Sequence, residues 1–154
     1  MYTKFKVSLI LTSKQERELE LVRFLDGLSS QTTPYPINLY FVNQSQEVLN
    51  YNWNQVGFNS EIITSGGLGL SAARNLALSR LMPLDDSCEI IGFPDDDCWY
   101  DEKVLENVIS YFKLNPNVNC ICTNVFDPSK QKSYGGRPLH IEKEITFRNI
   151  FKLP

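Results

Sequence analysis

The sequence predicts an α/β protein, a three-layer sandwich on a mostly parallel sheet, and three observations predict it. Short β-branched, leucine-rich or aromatic runs alternate with helix-forming segments through most of the chain. Polar and acidic residues gather just after the strands, where open parallel sheets bind ligands. A chain of 154 residues that is 42% hydrophobic is enough for one ordinary core, burying about 70% of the unfolded surface.

The elements follow in order. Lys6 to Thr12 (KVSLILT) reads as a strand, and the segment from Glu18 to Leu28 places Leu19, Val22, Phe24, Leu25 and Leu28 at roughly helical spacing. After the turn-forming stretch SSQTTPYP, Ile37 to Val42 is a second strand, so the chain opens with a β-α-β unit of the kind that builds parallel sheets. Residues 43 to 60 are polar and rich in Asn and Gln, a loop with room for one short helix, anchored by Tyr51, Trp53 and Phe58. A brief strand is expected at Glu61 to Thr64. Gly66, Gly67 and Gly69 then lead into a helix from Leu70 to Met82, with Ser71 as its cap. Glu89 to Phe93 is a fourth strand ended by Pro94, Glu102 to Leu114 a third helix, and Val118 to Phe126 a fifth strand whose alternation is weak. Beyond Asp127 the chain reads as loops with one short amphipathic piece near Ile145 to Phe151. This gives a domain over 1–126 and a second region over 127–154.

Composition excludes several classes. The net charge is -3 and the Lys and Arg residues are scattered, which argues against nucleic acid as a partner. No apolar stretch approaches the roughly 18 residues of a membrane span, and even Val7 to Leu11 is hemmed by Lys4, Lys6 and Lys14. No signal-peptide leader is visible. Cys88, Cys98, Cys120 and Cys122 read as reduced thiols in the cytoplasm, and Cys120-x-Cys122 has the spacing of neither a zinc half-site nor a redox pair.

The strand exits carry the candidate chemistry: Thr12 and Ser13 after the first, Asn43, Gln44 and Ser45 after the second, and Asp95, Asp96 and Asp97 after the fourth. Three consecutive carboxylates repel unless a cation or hydrogen-bond donors intervene, and hard oxygen ligands suit Mg2+ or Mn2+. A metal bound there would draw its remaining ligands from substrate phosphates and water. The same run also fits a solvated acidic turn before the next helix. Gly67-Leu68-Gly69-Leu70-Ser71-Ala72 matches the G-x-G-x-x-A dinucleotide pattern, but it follows the third strand rather than the first. Arg74 and Asn75 lie near the start of the helix, where Arg74 is suited to phosphate or simply to solvent. His140, the one histidine, sits in a loop, and Cys98 beside the acids is the thiol worth testing for reactivity.

Taken together, these residues resemble family 2 glycosyltransferases of the GT-A fold over about the first 125 positions. VSLILTS at 7–13 looks like the family's first strand and its exit, and FVNQS at 41–45 like the second. GLSAARN at 69–75 looks like the G-x-x-x-A-R-N helix start, and FPDDDCWY at 93–100 like the D-x-D segment. The resemblance implies a nucleoside-diphosphate sugar as donor, a saccharide or glycolipid acceptor, and transfer to a hydroxyl with inversion. It implies a divalent metal on Asp97 and Asp95, with Thr12, Ser13, Asn43 and Arg74 lining the nucleotide pocket and Asp95 or Asp96 approaching the ribose or sugar. The family usually has Asp where this chain has Asn43, which accepts a hydrogen bond without charge. By the same resemblance the catalytic base lies beyond Pro154; Glu142 and Glu144 are the late acids, and no motif marks either. A non-catalytic nucleotide-binding or assembly module is the alternative. The expected location is cytoplasmic, with peripheral attachment to a membrane left open.

Overall fold

β1 (Val7–Ser13) is buried along its whole length, as befits a central strand covered on both faces and written as a nearly continuous apolar run. The computed structural model describes residues 6–81, 90–123, 125–127 and 132–133. In it β1 pairs in parallel with β2 (Ile37–Asn43) on one side and with β4 (Ile90–Gly92) on the other. β3 (Asn59–Thr64) pairs in parallel with β2, so the order is β3-β2-β1-β4.

Helices cover both faces. α1 (Glu18–Ser29) and α3 (Val104–Leu114) bring Leu21, Phe24, Leu25, Leu28, Leu105 and Ile109 against Leu9, Leu11, Leu39 and Phe41. Each such aliphatic or aromatic side chain, fully buried, contributes roughly 1.5–3 kcal/mol. On the opposite face α2 (Leu70–Leu81) lays Ala73, Ala77 and Leu81 over Ile10, Tyr40, Val42 and Ile63. The three layers expected from the sequence are present.

Leu19 is 84% exposed, and Leu21 takes its place in the core. Positions 21, 24, 25 and 28 fall on one stripe at i, i+3, i+4 and i+7, from which Leu19 is rotated away. α2 starts two residues earlier than a Ser71 cap requires: the Ala73 amide donates to the Gly69 carbonyl at 3.0 Å, which makes Gly69 the cap. In the polar segment after β2, Trp53–Gln55 forms a short 3-10 turn, and Trp53 stacks on Phe41 with centroids 6.1 Å apart.

The fifth strand expected over 118–126 does not form at residues 118–123. Asn117 and Asn119 are poor strand formers, and the weak alternation gives no single face to bury. Instead a two-residue strand β5 (Phe126–Asp127) pairs antiparallel with β6 (Lys132–Ser133). The chain divides into two compact units, Met1–Asn119 and Cys120–Pro154. The amphipathic piece near 145–151, Met82, Cys88, Glu89, His140, Glu142 and Glu144 lie outside the described residues.

Gln31 locks α1 to α3. Its Nε2 donates to the carbonyls of Gly27 at 2.9 Å and Asp101 at 2.7 Å. Its Oε1 accepts from the Leu105 amide at 3.0 Å, supplying the cap that Lys103 lacks. The segment after β4 is thereby pinned to α1, which sets the direction in which the chain leaves the acidic turn.

β1, β2 and β3 step outward in one direction, and α2 then carries the chain back to β4 on the other flank of β1. The order reverses between β1 and β4, and the exits of those two strands diverge into a crevice.

Candidate functional site

β1 and β2 end together. Their parallel register sets Ser13 beside Asn43, and Asn43 beside Thr64 of β3. Thr12, Ser13 and Asn43 are buried, at 9%, 3% and 5% exposure, so their polar atoms need partners in the protein or in a ligand. Across the crevice Pro94 ends β4 and the acidic turn follows, closed by the Cys98 amide donating to the Asp95 carbonyl at 3.4 Å.

Each of the three carboxylates answers to a different element. Asp96 Oδ2 accepts from Ser13 Oγ at 2.6 Å, across the crevice. Asp95 Oδ1 lies 3.3 Å from Nη2 of Arg74 on α2. Asp97 is paired with the guanidinium of Arg17, in the loop between β1 and α1. The repulsion expected of three adjacent acids is relieved by one hydroxyl and two cations from different parts of the fold.

Sequence reasoning missed Arg17. A cation in the turn leaving the first strand was the available signal, but its meaning depends on a partner 80 residues away. The turn is built for a sharp change of direction: Gln15 adopts a left-handed φ of 60°, and its amide donates to Ser13 Oγ at 2.9 Å. Pairing with Asp97, chiefly through the hydrogen bond, raises the pKa of Arg17, which stays charged.

Asn43 is placed at the expected exit, but its side chain is already engaged. Oδ1 accepts from the Ser45 amide at 2.9 Å and Nδ2 donates to the Glu47 carbonyl at 2.8 Å. That carbonyl also accepts from Gln15 Nε2 at 3.1 Å, so one bracket ties the loops after β1 and β2 together.

Arg74 differs. Its guanidinium lies 5.5 Å from the centroid of the Phe93 ring, while its Nε is buried and donates to nothing. Six buried side-chain polar atoms lack a partner among the described residues. Three of them belong to Gln44, Ser65 and Arg74, that is, to the exits of β2 and β3 and to the helix above the crevice. The other three belong to Ser8, Ser29 and Asn38, away from the exits; the unmet groups of Gln44, Ser65 and Arg74 are the ones a ligand at the strand exits could satisfy.

Gln44, but not Ser65 or Arg74, lines a cleft of about 300 Å³ that it shares with Thr12, Ser13, Arg17, Gly69 and Asp96 among others. A somewhat larger depression of about 380 Å³, lined by Asp26, Ser29, Ser30, Tyr51, Asn52 and Gln55, sits at the carboxyl end of α1. It holds none of the strand-exit residues, so size does not decide between the two.

The oxygens of Asp95 and Asp97 have the chemistry Mg2+ or Mn2+ prefers. Among the described residues no three His, Cys, Asp or Glu side chains converge, so ligand oxygens and water must supply the rest of any shell. A Cβ at Gly66, Gly67 or Gly69 would meet nothing within 4 Å. Close approach within the chain therefore does not require these glycines. Burial first, and then Asp97, Asp95 and Asp96, push the Cys98 thiol up, which keeps it protonated and unsuited to act as a nucleophile.

The model of the family described as glycosyl transferase family 2 matches residues 8–153, a span containing every strand exit described above. The chain belongs to this family. Among solved structures it is similar to the crystal structure of S. aureus TarS 1-349, at 16% identity and a TM-score of 0.57, covering 79% of this chain and 40% of that one. It is also similar to S. aureus TarS 1-349 in complex with UDP-GlcNAc, at 19% identity and a TM-score of 0.53, covering 80% of this chain and 38% of that one. The chain thus spans about two-fifths of each of these structures. No curated protein matches it. With the family established, the fold is of the GT-A type that the resemblance implied. Among the described residues no helix is long and apolar enough to cross a membrane.

Proposed function

We propose that the crevice between β1 and β4 binds a nucleoside-diphosphate sugar together with a divalent cation, for transfer of the sugar to a hydroxyl of a saccharide or glycolipid acceptor with inversion. Residues 1–126 form the donor-binding part and 127–154 open the acceptor side, working in the cytoplasm beside the acceptor. The observation that carries this reading is Arg74: its buried Nε is a donor without an acceptor, on a guanidinium paired with Asp95 beside the crevice where this topology binds ligands. Such a donor calls for an anionic oxygen, and a diphosphate supplies it. The structure of a similar fold in complex with UDP-GlcNAc supports the same ligand class.

In this reading Arg74 holds the diphosphate, Thr12 and Ser13 line the nucleotide pocket, and Asn43 shapes its wall by holding the loop after β2. Asp96, anchored by Ser13, faces the ribose or sugar. Asp97 and Asp95 would hold Mg2+ or Mn2+, which when bound neutralises the charge developing on the diphosphate leaving group. No described residue is assigned as the base.

Calorimetric titration with UDP, dTDP and GDP, with and without Mn2+, tests the reading. At least one diphosphate is expected to bind more tightly with Mn2+, and Asp97→Ala to abolish that difference. Arg74→Ala is expected to weaken a diphosphate more than the free nucleoside. Absence of diphosphate binding under every metal condition would overturn the assignment.

A further inference from the structure

The acidic turn and the loop after β1 meet at one ion pair that neither strand exit explains alone. Arg17 and Asp97 are 80 positions apart, on opposite lips of the crevice, and Arg17 and Asp96 line the same cleft. Their side chains are 56% and 41% exposed, so the pair is screened and easily exchanged. Neither group is structurally committed to the other. Ser13 and Gln15 shape the β1 turn without the Arg17 side chain, and the chain beyond Asp97 is held by Gln31.

We infer that Arg17 is a second diphosphate-binding cation, parked on Asp97 while the crevice is empty, and that it couples donor binding to metal binding. The inference rests on the donor-site reading above. A phosphate group offers a guanidinium more charge and a better bidentate geometry than one exposed carboxylate does. When the diphosphate arrives, Arg17 moves to it and Asp97 becomes free for a cation. A cation arriving alone must displace Arg17 from Asp97 and meets a positive charge beside the site. The free protein therefore takes up a divalent ion poorly without nucleotide.

The consequence is a pair of effects of opposite sign. Mn2+ binding without nucleotide, followed by the electron paramagnetic resonance signal of free Mn2+, is expected to tighten about three- to fivefold in Arg17→Gln. UDP binding without metal, followed by calorimetry, is expected to weaken about fivefold in the same variant. Arg17→Lys, which keeps the charge but not the fork, is expected to restore the weak Mn2+ binding and only part of the UDP affinity. A loss of packing would shift both affinities the same way. If Arg17→Gln leaves Mn2+ affinity unchanged, or if it binds no Mn2+ without nucleotide, the parking of Arg17 on Asp97 is refuted. If UDP affinity does not fall, its role at the diphosphate is refuted. If instead the unaltered chain binds none of UDP, dTDP and GDP, the donor-site reading fails, and this inference with it.

Discussion

Ser13 Oγ donates to Asp96 Oδ2 at 2.6 Å, joining the end of β1 to the turn after β4 across the point where the strand order reverses. The same oxygen accepts from the Gln15 amide at 2.9 Å, so one hydroxyl sets both the β1 turn and the position of the middle aspartate. A partly buried hydrogen bond to a carboxylate contributes about 1.5–3 kcal/mol. Ser13→Ala is expected to lose about 1–2 kcal/mol in urea unfolding and, on the proposed function, to weaken nucleotide binding. Asp96→Asn keeps an acceptor and should lose less stability than Asp96→Ala. Equal losses in the two Asp96 variants would show that the hydroxyl does not hold the carboxylate.

Asn43 stands where the family usually carries Asp, and the structure gives the substitution a local reason. An Asp at this position could still accept from the Ser45 amide, but it would set an oxygen against the Glu47 carbonyl that Nδ2 now satisfies. Losing one bond and adding that repulsion costs about 1–3 kcal/mol. Asn43→Asp is therefore expected to lower thermal stability and to speed hydrogen exchange at the amides of Ser45 and Glu47. An Asp variant as stable as the parent would mean that the bracket with Glu47 is dispensable.

These two sites show what the sequence could and could not tell. The layers were legible because β1 is an almost unbroken apolar run and the helices carry local periodicity. The exits were legible because polar residues follow β1, β2 and β3 immediately and the aspartates follow β4 after Phe93 and Pro94. Arg17 was not, since nothing near position 17 announces a partner at 97. Nor was the separation of the three aspartates onto Arg74, Ser13 and Arg17, which is a property of three elements meeting. Residues 118–123 went wrong for a local reason: apolar and cysteine positions without clean alternation suggested a strand that no neighbouring strand pairs with.

Gly27 offers a test in which propensity and packing oppose each other. In a helix interior, Gly to Ala is ordinarily worth about 1 kcal/mol of added stability. Here a Cβ would lie 2.8 Å from the Tyr100 carbonyl oxygen and 3.3 Å from its amide nitrogen, both backbone atoms that cannot rotate aside. Overpacking of this kind costs about 1–3 kcal/mol. Gly27→Ala is expected to be net destabilising, with added mobility in the chain just after the acidic turn. Stabilisation would show that Tyr100 can retreat from α1.

Tyr100 itself makes the alkaline limb of stability informative. Its ring meets Phe24 edge-on with centroids 5.5 Å apart, and burial, with Cys98 and Asp95 adding to it, pushes the phenol up to about 12. The folded state thus holds this proton more tightly than the unfolded chain, in which a tyrosine titrates near 10. Stability from this source is complete below pH 10 and falls as pH rises from there through about 12. A shift of this size would correspond to about 2.7 kcal/mol, and the ring's partial exposure reduces it to about 1–2 kcal/mol. Tyr100→Phe keeps the edge-on contact and has no phenolic proton, so its unfolding free energy should fall less steeply between pH 10 and 12 than that of the parent. Parallel curves for the two proteins would show that Tyr100 ionises as freely in the fold as in the unfolded chain.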